Sequence, residues 1–294
     1  MPVKHAFGAL SCNLKLVAKL AVFIIIIGLI AMAILSNIIE PLIDEIFALI
    51  AGIDVKADDF IKHPIQETKK IIDFCVGHIT SQEWQLLLVS AIVTYVLLRF
   101  FFTIPLLPVT KVLHEKMTTG YDIGLFNAFI ATGFQNLLLS FILCITISII
   151  DISLIIGFGA LLYLCIAKSL FFLLPLLIII ALCLFSARIC LFSQWMPHIC
   201  SSNDKNIFHA LKSALKPTLS KFRKNFLCIL AVNTIFFIIV SATIIPTLGA
   251  VPLICIPIYM VTHSALTLTL DFSYHKQKYY VDNGITIYEP TKLF

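Results

Sequence analysis

The chain has 294 residues, of which 60% are hydrophobic and only 13% charged, with a formal net charge of +5. Ordinary soluble domains carry roughly 25% charge, so this composition excludes a soluble globular protein. It also excludes a nucleic-acid binder of the basic-patch kind, because Arg99, Arg188 and Arg223 are the only arginines and no Arg-rich tract exists.

From Phe134 to Ala187 only Asp151 and Lys168 are charged. A membrane-spanning helix needs about 20 apolar residues, so this stretch holds at least two spans. Six spans are the simplest reading of the whole chain: about 16–39, 85–107, 135–158, 170–192, 226–245 and 251–270. Gly157 and Gly159 permit a break between the third and fourth, and one long third helix bent at these glycines is the alternative. Lys15 and Lys19 precede the first span, whose apolar run to Ile39 is too long for a cleaved signal peptide. It reads as an uncleaved anchor.

Taking the loops alternately, one side collects fifteen of the 21 Lys and Arg, and the other holds Lys56, Lys62, Lys69, Lys70 and Lys168. Positive charge marks the inside, so both termini are expected in the cytoplasm. The chain then divides into a stub and first span (1–39), an acidic outer helical hairpin (40–84), a five-span bundle (85–270) and a cytoplasmic tail (271–294).

Within the outer segment Asp59, His63 and Glu67 fall at helical spacing, which on one helix gives a shared face. His with carboxylates suits a divalent ion, but a solvated polar face is the plainer reading, and Pro64 disturbs any helix through it. No metal site or cofactor is expected. The nine Cys are scattered without a CxxC and lie mostly in apolar runs, where they act as small apolar residues.

Two segments repeat. Arg99 precedes Pro108 by nine residues at the end of the second span, and Arg188 precedes Pro197 by nine at the end of the fourth. Leu125-Phe-Asn-Ala-Phe129 follows in one copy and Ile207-Phe-His-Ala-Leu211 in the other. Both copies would run from outside to inside, as parallel repeats over 85–158 and 170–250. Each Arg is expected to reach the inner headgroups, and each Pro to end its helix.

In the second copy Ile207, Leu211, Leu215, Leu219 and Phe222 share a face. Lys205, His209, Lys212, Lys216, Lys221, Arg223 and Lys224 occupy the rest. A basic amphipathic helix of this kind attracts anionic lipid headgroups. Trp195-x-Pro197, a polar turn and Ala210-Leu-Lys-Ser-Ala-Leu-Lys216 before a new span resemble uncharacterised families of bacterial polytopic inner-membrane proteins. The resemblance covers only this stretch and implies an inner-membrane location. It carries over no activity.

Gln135, Asn136, Asn233 and His263 are polar groups inside spans, where such groups are functional candidates by default. They mark either a polar pocket between the repeats or hydrogen-bonding contacts between helices. Asp151 is expected to cap the outer end of the third span, and no span shows a paired charge. In the tail, Asp282-Asn-Gly284 between Tyr279-Tyr-Val281 and Ile285-Thr-Ile-Tyr288 signals a β-hairpin.

No HExxH, GxSxG or P-loop motif occurs. The expected protein is therefore all-α, a polytopic bundle of about six spans with interfacial amphipathic helices and a small C-terminal hairpin. It is expected to be non-catalytic, with anionic lipid and membrane proteins as partners. The alternative is a transporter of a small solute through a pocket between the repeats.

Cysteines placed singly at Ala57, Ser202 and Ser273 in a Cys-free background should label from outside, inside and inside. Outside labelling at Ser202 would sink both the span count and the parallel repeat.

Overall fold

The computed structural model describes residues 2–52, 66–67, 69–70, 73, 77, 82–168, 170–201, 207–247 and 249–289. The Asp59 and His63 positions of the acidic segment, and Lys205, lie outside the described residues.

Helices α1 (Pro2–Cys12), α2 (Leu14–Gly52), α3 (Gln82–Thr103), α4 (Leu106–Thr119) and α5 (Leu125–Ala167) make the first half. A short 3-10 turn (Phe171–Leu173) leads into α6 (Leu174–Phe192), α7 (Trp195–Ser201), α8 (Ile207–Ser220), α9 (Phe222–Thr243) and α10 (Ala250–His275). Strands β1 (Tyr279–Tyr280) and β2 (Ile287–Tyr288) pair antiparallel, Tyr279 opposite Tyr288 and Tyr280 opposite Ile287. Six helical stretches are long and apolar enough to cross a membrane: Leu14–Ser36, Gln85–Thr119, Leu125–Ala167, Leu174–Ser201, Phe222–Thr243 and Ala250–His275. The all-α, six-span reading and the terminal hairpin therefore hold. Helices suit this setting because each satisfies its own backbone hydrogen bonds where water is absent.

Two local expectations are corrected. First, the alternative of one long third helix holds, but without a bend at the glycines: α5 runs past Gly157 and Gly159 to Ala167. The bend in α5 sits at Gly133, with φ 42° and ψ −127°, a conformation that a side chain would strain. Second, Pro108 and Pro197 do not end their spans. The breaks fall at Ile104–Pro105 and Ser193–Gln194, and each proline is the third residue of the next helix. A first-turn proline gives up only an N–H that has no helical partner anyway. Along α8 the apolar face is only partly covered by the protein. Leu211, Ala214, Pro217 and Thr218 are buried, while Leu219 is 60% exposed.

The chain forms two compact units. One comprises residues 1–26, 102–143 and 182–294, and the other 27–101 and 144–181. In the first, α10 is the central helix. Its span is 67% buried, against 6–33% for the other five, so those mostly present apolar side chains outward as lipid requires. Val261, Ala265, Leu266, Leu268 and Phe272 of α10 pack with Ala6 and Ala9 of α1, Val109 and Leu113 of α4, and Ile229 and Val232 of α9. Helices α4 and α7, the two that follow the breaks, also pack on each other.

The hairpin docks on α1. Tyr279 hydroxyl lies 2.8 Å from His5 Nδ1, and the Tyr288 ring centroid is 4.5 Å from that of His5. Tyr279 also stacks on Phe272 at 5.4 Å. A Cβ on Gly8 would come within 2.9 Å of Val281 Cγ1, so a larger residue there would have to displace Val281. At the turn, Asn283 and Gly284 both take positive φ, as the Asn-Gly signal requires. The Asp282 carboxylate accepts from the Thr286 N–H at 2.8 Å and from the Thr286 hydroxyl at 2.9 Å, which holds it below the usual carboxylate range.

Burial, with smaller repulsion from the amino terminus and Lys4, pushes the His5 ring below its ordinary value of 6.5. Burial, aided by Tyr288, pushes the Tyr279 hydroxyl up to about 12. A neutral imidazole accepting from a protonated phenol satisfies both. Docking should therefore be complete above pH 6.5 and weaken as the pH falls below it toward the lowered value, because the undocked ring takes the proton first. The hydrogen-exchange protection of residues 279–288, taken relative to the intrinsic rate at each pH, should hold above pH 6.5 and fall as the pH drops below it. His5→Phe should flatten that response while keeping the ring contacts, and an unchanged pH response would remove His5 as its source.

Candidate functional site

Three groups of side chains stand out: a charged triad, a hydroxyl-amide cluster and a basic segment.

The triad lies in the second unit. Arg99 Nη1 is 2.7 Å from Asp151 Oδ2, and the Tyr95 hydroxyl donates to that same oxygen at 2.7 Å. Arg99 also donates to the Tyr95 oxygen at 2.9 Å. The Asp151 side chain is 1% exposed and that of Arg99 22%. Tyr95 and Arg99 fall at i and i+4 of α3, so they share a face. Nearby, the Cys144 thiol donates to the Val96 carbonyl at 3.2 Å.

This corrects three readings. The spans do carry a paired charge. Arg99 is committed to a carboxylate and is not simply directed at headgroups. Asp151 lies inside α5, well before its end at Ala167, and caps nothing. The physical reason is the cost of a lone charge in hydrocarbon, which each member of the pair removes for the other. Sequence alone gave Arg99 and Asp151 as isolated charges 52 positions apart. The available signal was their opposite sign within spans that run antiparallel.

The second cluster lies in the first unit. Asn233 Nδ2 donates to Ser186 Oγ at 2.8 Å, and the Tyr259 hydroxyl donates to Asn233 Oδ1 at 2.9 Å. His263 stacks on Tyr259, with centroids 5.7 Å apart and planes 10° from parallel. His263 Nδ1 is buried with no hydrogen-bond partner among the described residues. So Asn233 and His263 do come together, through a tyrosine that the sequence reading passed over. Asn136 instead accepts from Ser140 of its own helix at 3.4 Å, and Gln135 is exposed. Nothing hydrogen-bonds either of them to Asn233 or His263 among the described residues. The cluster's polar atoms face one another across α6, α9 and α10, which is the behaviour of interhelical hydrogen bonds. Arg188, on α6, sits with its guanidinium 5.8 Å from the Phe185 ring centroid.

The third group is the basic segment. Lys212, Lys216, Lys221 and Arg223 are exposed and Lys224 is half-buried. The chain turns at Lys221, which separates α8 from α9 with φ −122° and ψ 30°. Lys221 Nζ reaches the Ser273 carbonyl at 3.5 Å and lies 5.6 Å from the Tyr274 ring centroid, tying this turn to the end of α10. Leu219, Ser220, Lys221, Arg223, Leu227 and Cys228 border a groove of about 810 Å3. Leu219 and Leu227 are 60% and 53% exposed. The segment therefore offers cations beside open apolar surface.

For the proposed metal face only Glu67 is described, and it pairs with Lys70 at 2.7 Å. Among the described residues no group of three or more His, Cys, Asp or Glu is placed to hold a metal.

Removing one member of the triad should strand the other. Asp151→Asn should destabilise the protein by about 3 kcal/mol, and Arg99→Met added to it should recover most of the loss. Unfolding in detergent would read both; equal stability of D151N and wild type would mean that the pair contributes nothing.

Six apolar helices make this an integral membrane protein of the polytopic kind. Compared with known proteins, the chain matches no family model, no curated protein and no solved structure.

Proposed function

We propose that the protein is a non-catalytic component of a bacterial cytoplasmic membrane that gathers anionic lipid, and through it membrane partners, along the segment Lys212–Lys224. Both termini lie on the cytoplasmic side in this reading, because fifteen of the 21 Lys and Arg fall in the loops of that side. The observation that carries the proposal is the pairing of exposed Lys212, Lys216, Lys221 and Arg223 with the open apolar edge at Leu219 and Leu227. A lipid offers the complement of both: a negative headgroup and the start of an acyl chain. Each basic residue near an anionic surface contributes about 1 kcal/mol, so the cluster amounts to a preference of a few kcal/mol.

The Arg99–Asp151 pair favours a second reading, a solute transporter, because intramembrane charges commonly mark transport paths. Solute counterflow into proteoliposomes that is lost in D151N would carry that reading over the first.

Replacing Lys212, Lys216, Lys221, Arg223 and Lys224 together by Gln should lower retention of phosphatidylglycerol on the purified protein and leave phosphatidylcholine retention unchanged. Quantifying co-purified lipid decides it. Equal phosphatidylglycerol on both proteins would overturn the proposal.

A further inference from the structure

A second cationic feature lies away from that segment. A cavity of about 410 Å3 opens in the first unit where α1 meets α2. Its lining includes Lys15, Lys19 and Lys116, against a single acidic residue, Asp122. Ser11, Asn13 and Asn283 add neutral hydrogen-bonding groups, and Leu16, Val112 and Leu125 form an apolar floor.

The site is held in shape from three directions. Asn13 interrupts the helix between α1 and α2, and its Nδ2 donates to the Ala9 carbonyl at 2.6 Å. Lys116 Nζ donates to Asn13 Oδ1 at 2.8 Å and to the Cys12 carbonyl at 3.4 Å. An ammonium has three donors, so Lys116 is fixed by two of them with one left for another acceptor. The third wall is the hairpin tip. A Cβ built on Gly120, which ends α4 with φ 77°, would lie 3.7 Å from the Gly284 Cα. That close approach brings Asn283 to the cavity edge.

We propose that this cavity binds a phosphate-bearing anion. Three lysines converge on a volume within the usual range for small-ligand sites, roughly 300–1,000 Å3. Ammonium groups bind phosphate as point charges, and the serine and asparagines supply further hydrogen bonds. The anion is a phospholipid headgroup or a small free phosphate; with the former, the floor of Leu16, Val112 and Leu125 would lie under the start of an acyl chain. The Lys212–Lys224 segment takes no part, so this site stands or falls independently of the lipid proposal above.

Native mass spectrometry of the full chain in neutral detergent tests it with three probes: phosphatidylglycerol, glycerol 3-phosphate and inorganic phosphate. Lys15 and Lys19 are exposed, so K15Q/K19Q leaves the packing in place, whereas Lys116 is kept because it holds Asn13. At least one probe should bind wild type, and bind K15Q/K19Q about tenfold more weakly, while K15R/K19R restores it. The same roughly tenfold difference should appear in a background with Lys212, Lys216, Lys221, Arg223 and Lys224 all replaced by Gln, where lipid held at that segment does not enter the reading. Phosphatidylglycerol alone obeying this pattern assigns the site to lipid; a small phosphate obeying it assigns the site to a soluble ligand. Binding of no probe, or equal binding to wild type and K15Q/K19Q, overturns the proposal.

Discussion

The first unit depends on one helix whose second half has nowhere to present a lipid-facing side. From Met260 to Ser273 every residue of α10 except His263 is buried. A helix surrounded by protein can hold polar side chains that the outer helices cannot, provided each finds an acceptor. Thr262, Thr267 and Thr269 do so within their own helix, donating to the carbonyls of Ile258, Ser264 and Leu266. Gln194 and Thr110 reach across, to the Thr267 carbonyl and the Ser264 hydroxyl. The sixth span thus has the lowest mean hydropathy of the six, 1.7 against 2.2–2.8, because it is solvated by the other helices. The basic turn at Lys221 and the hairpin both attach to its far end, so the candidate surfaces inherit their positions from it.

Much of this was legible in the sequence because it follows from hydropathy and from local chemistry. The spans are set by apolar length, and Asn283-Gly284 forces the hairpin turn whatever surrounds it. The cation-rich face of α8 likewise follows from its helical spacing. What escaped is whatever depends on which helix meets which. Arg99 and Asp151 read as independent charges because nothing local tells a membrane helix its neighbour. Pro108 and Pro197 read as stops because a proline forbids helix before it, and only the backbone shows that the break had already occurred three residues earlier. Tyr259 was overlooked because a tyrosine in an apolar run is ordinary until its hydroxyl meets an amide.

The polar groups sort by what they face. Where two of them meet inside the protein, as Asn233 does with Ser186 and Tyr259, they hold helices together. Elsewhere cations stand beside exposed leucines, or line a cavity with an apolar floor. Lys116 does both, since its bonds to Asn13 and Cys12 shape the cavity it lines.

The contact between His5 and Tyr279 joins residues 274 positions apart. Its consequence is temporal. During synthesis α1 emerges among the first segments, yet the surface that receives it arrives only after α10 and the hairpin. Contacts so distant in sequence form late and slowly. Until then the face of α1 that carries Ala6 and Ala9 lacks the helix that buries it. A segment made well before α10 is among the last to settle.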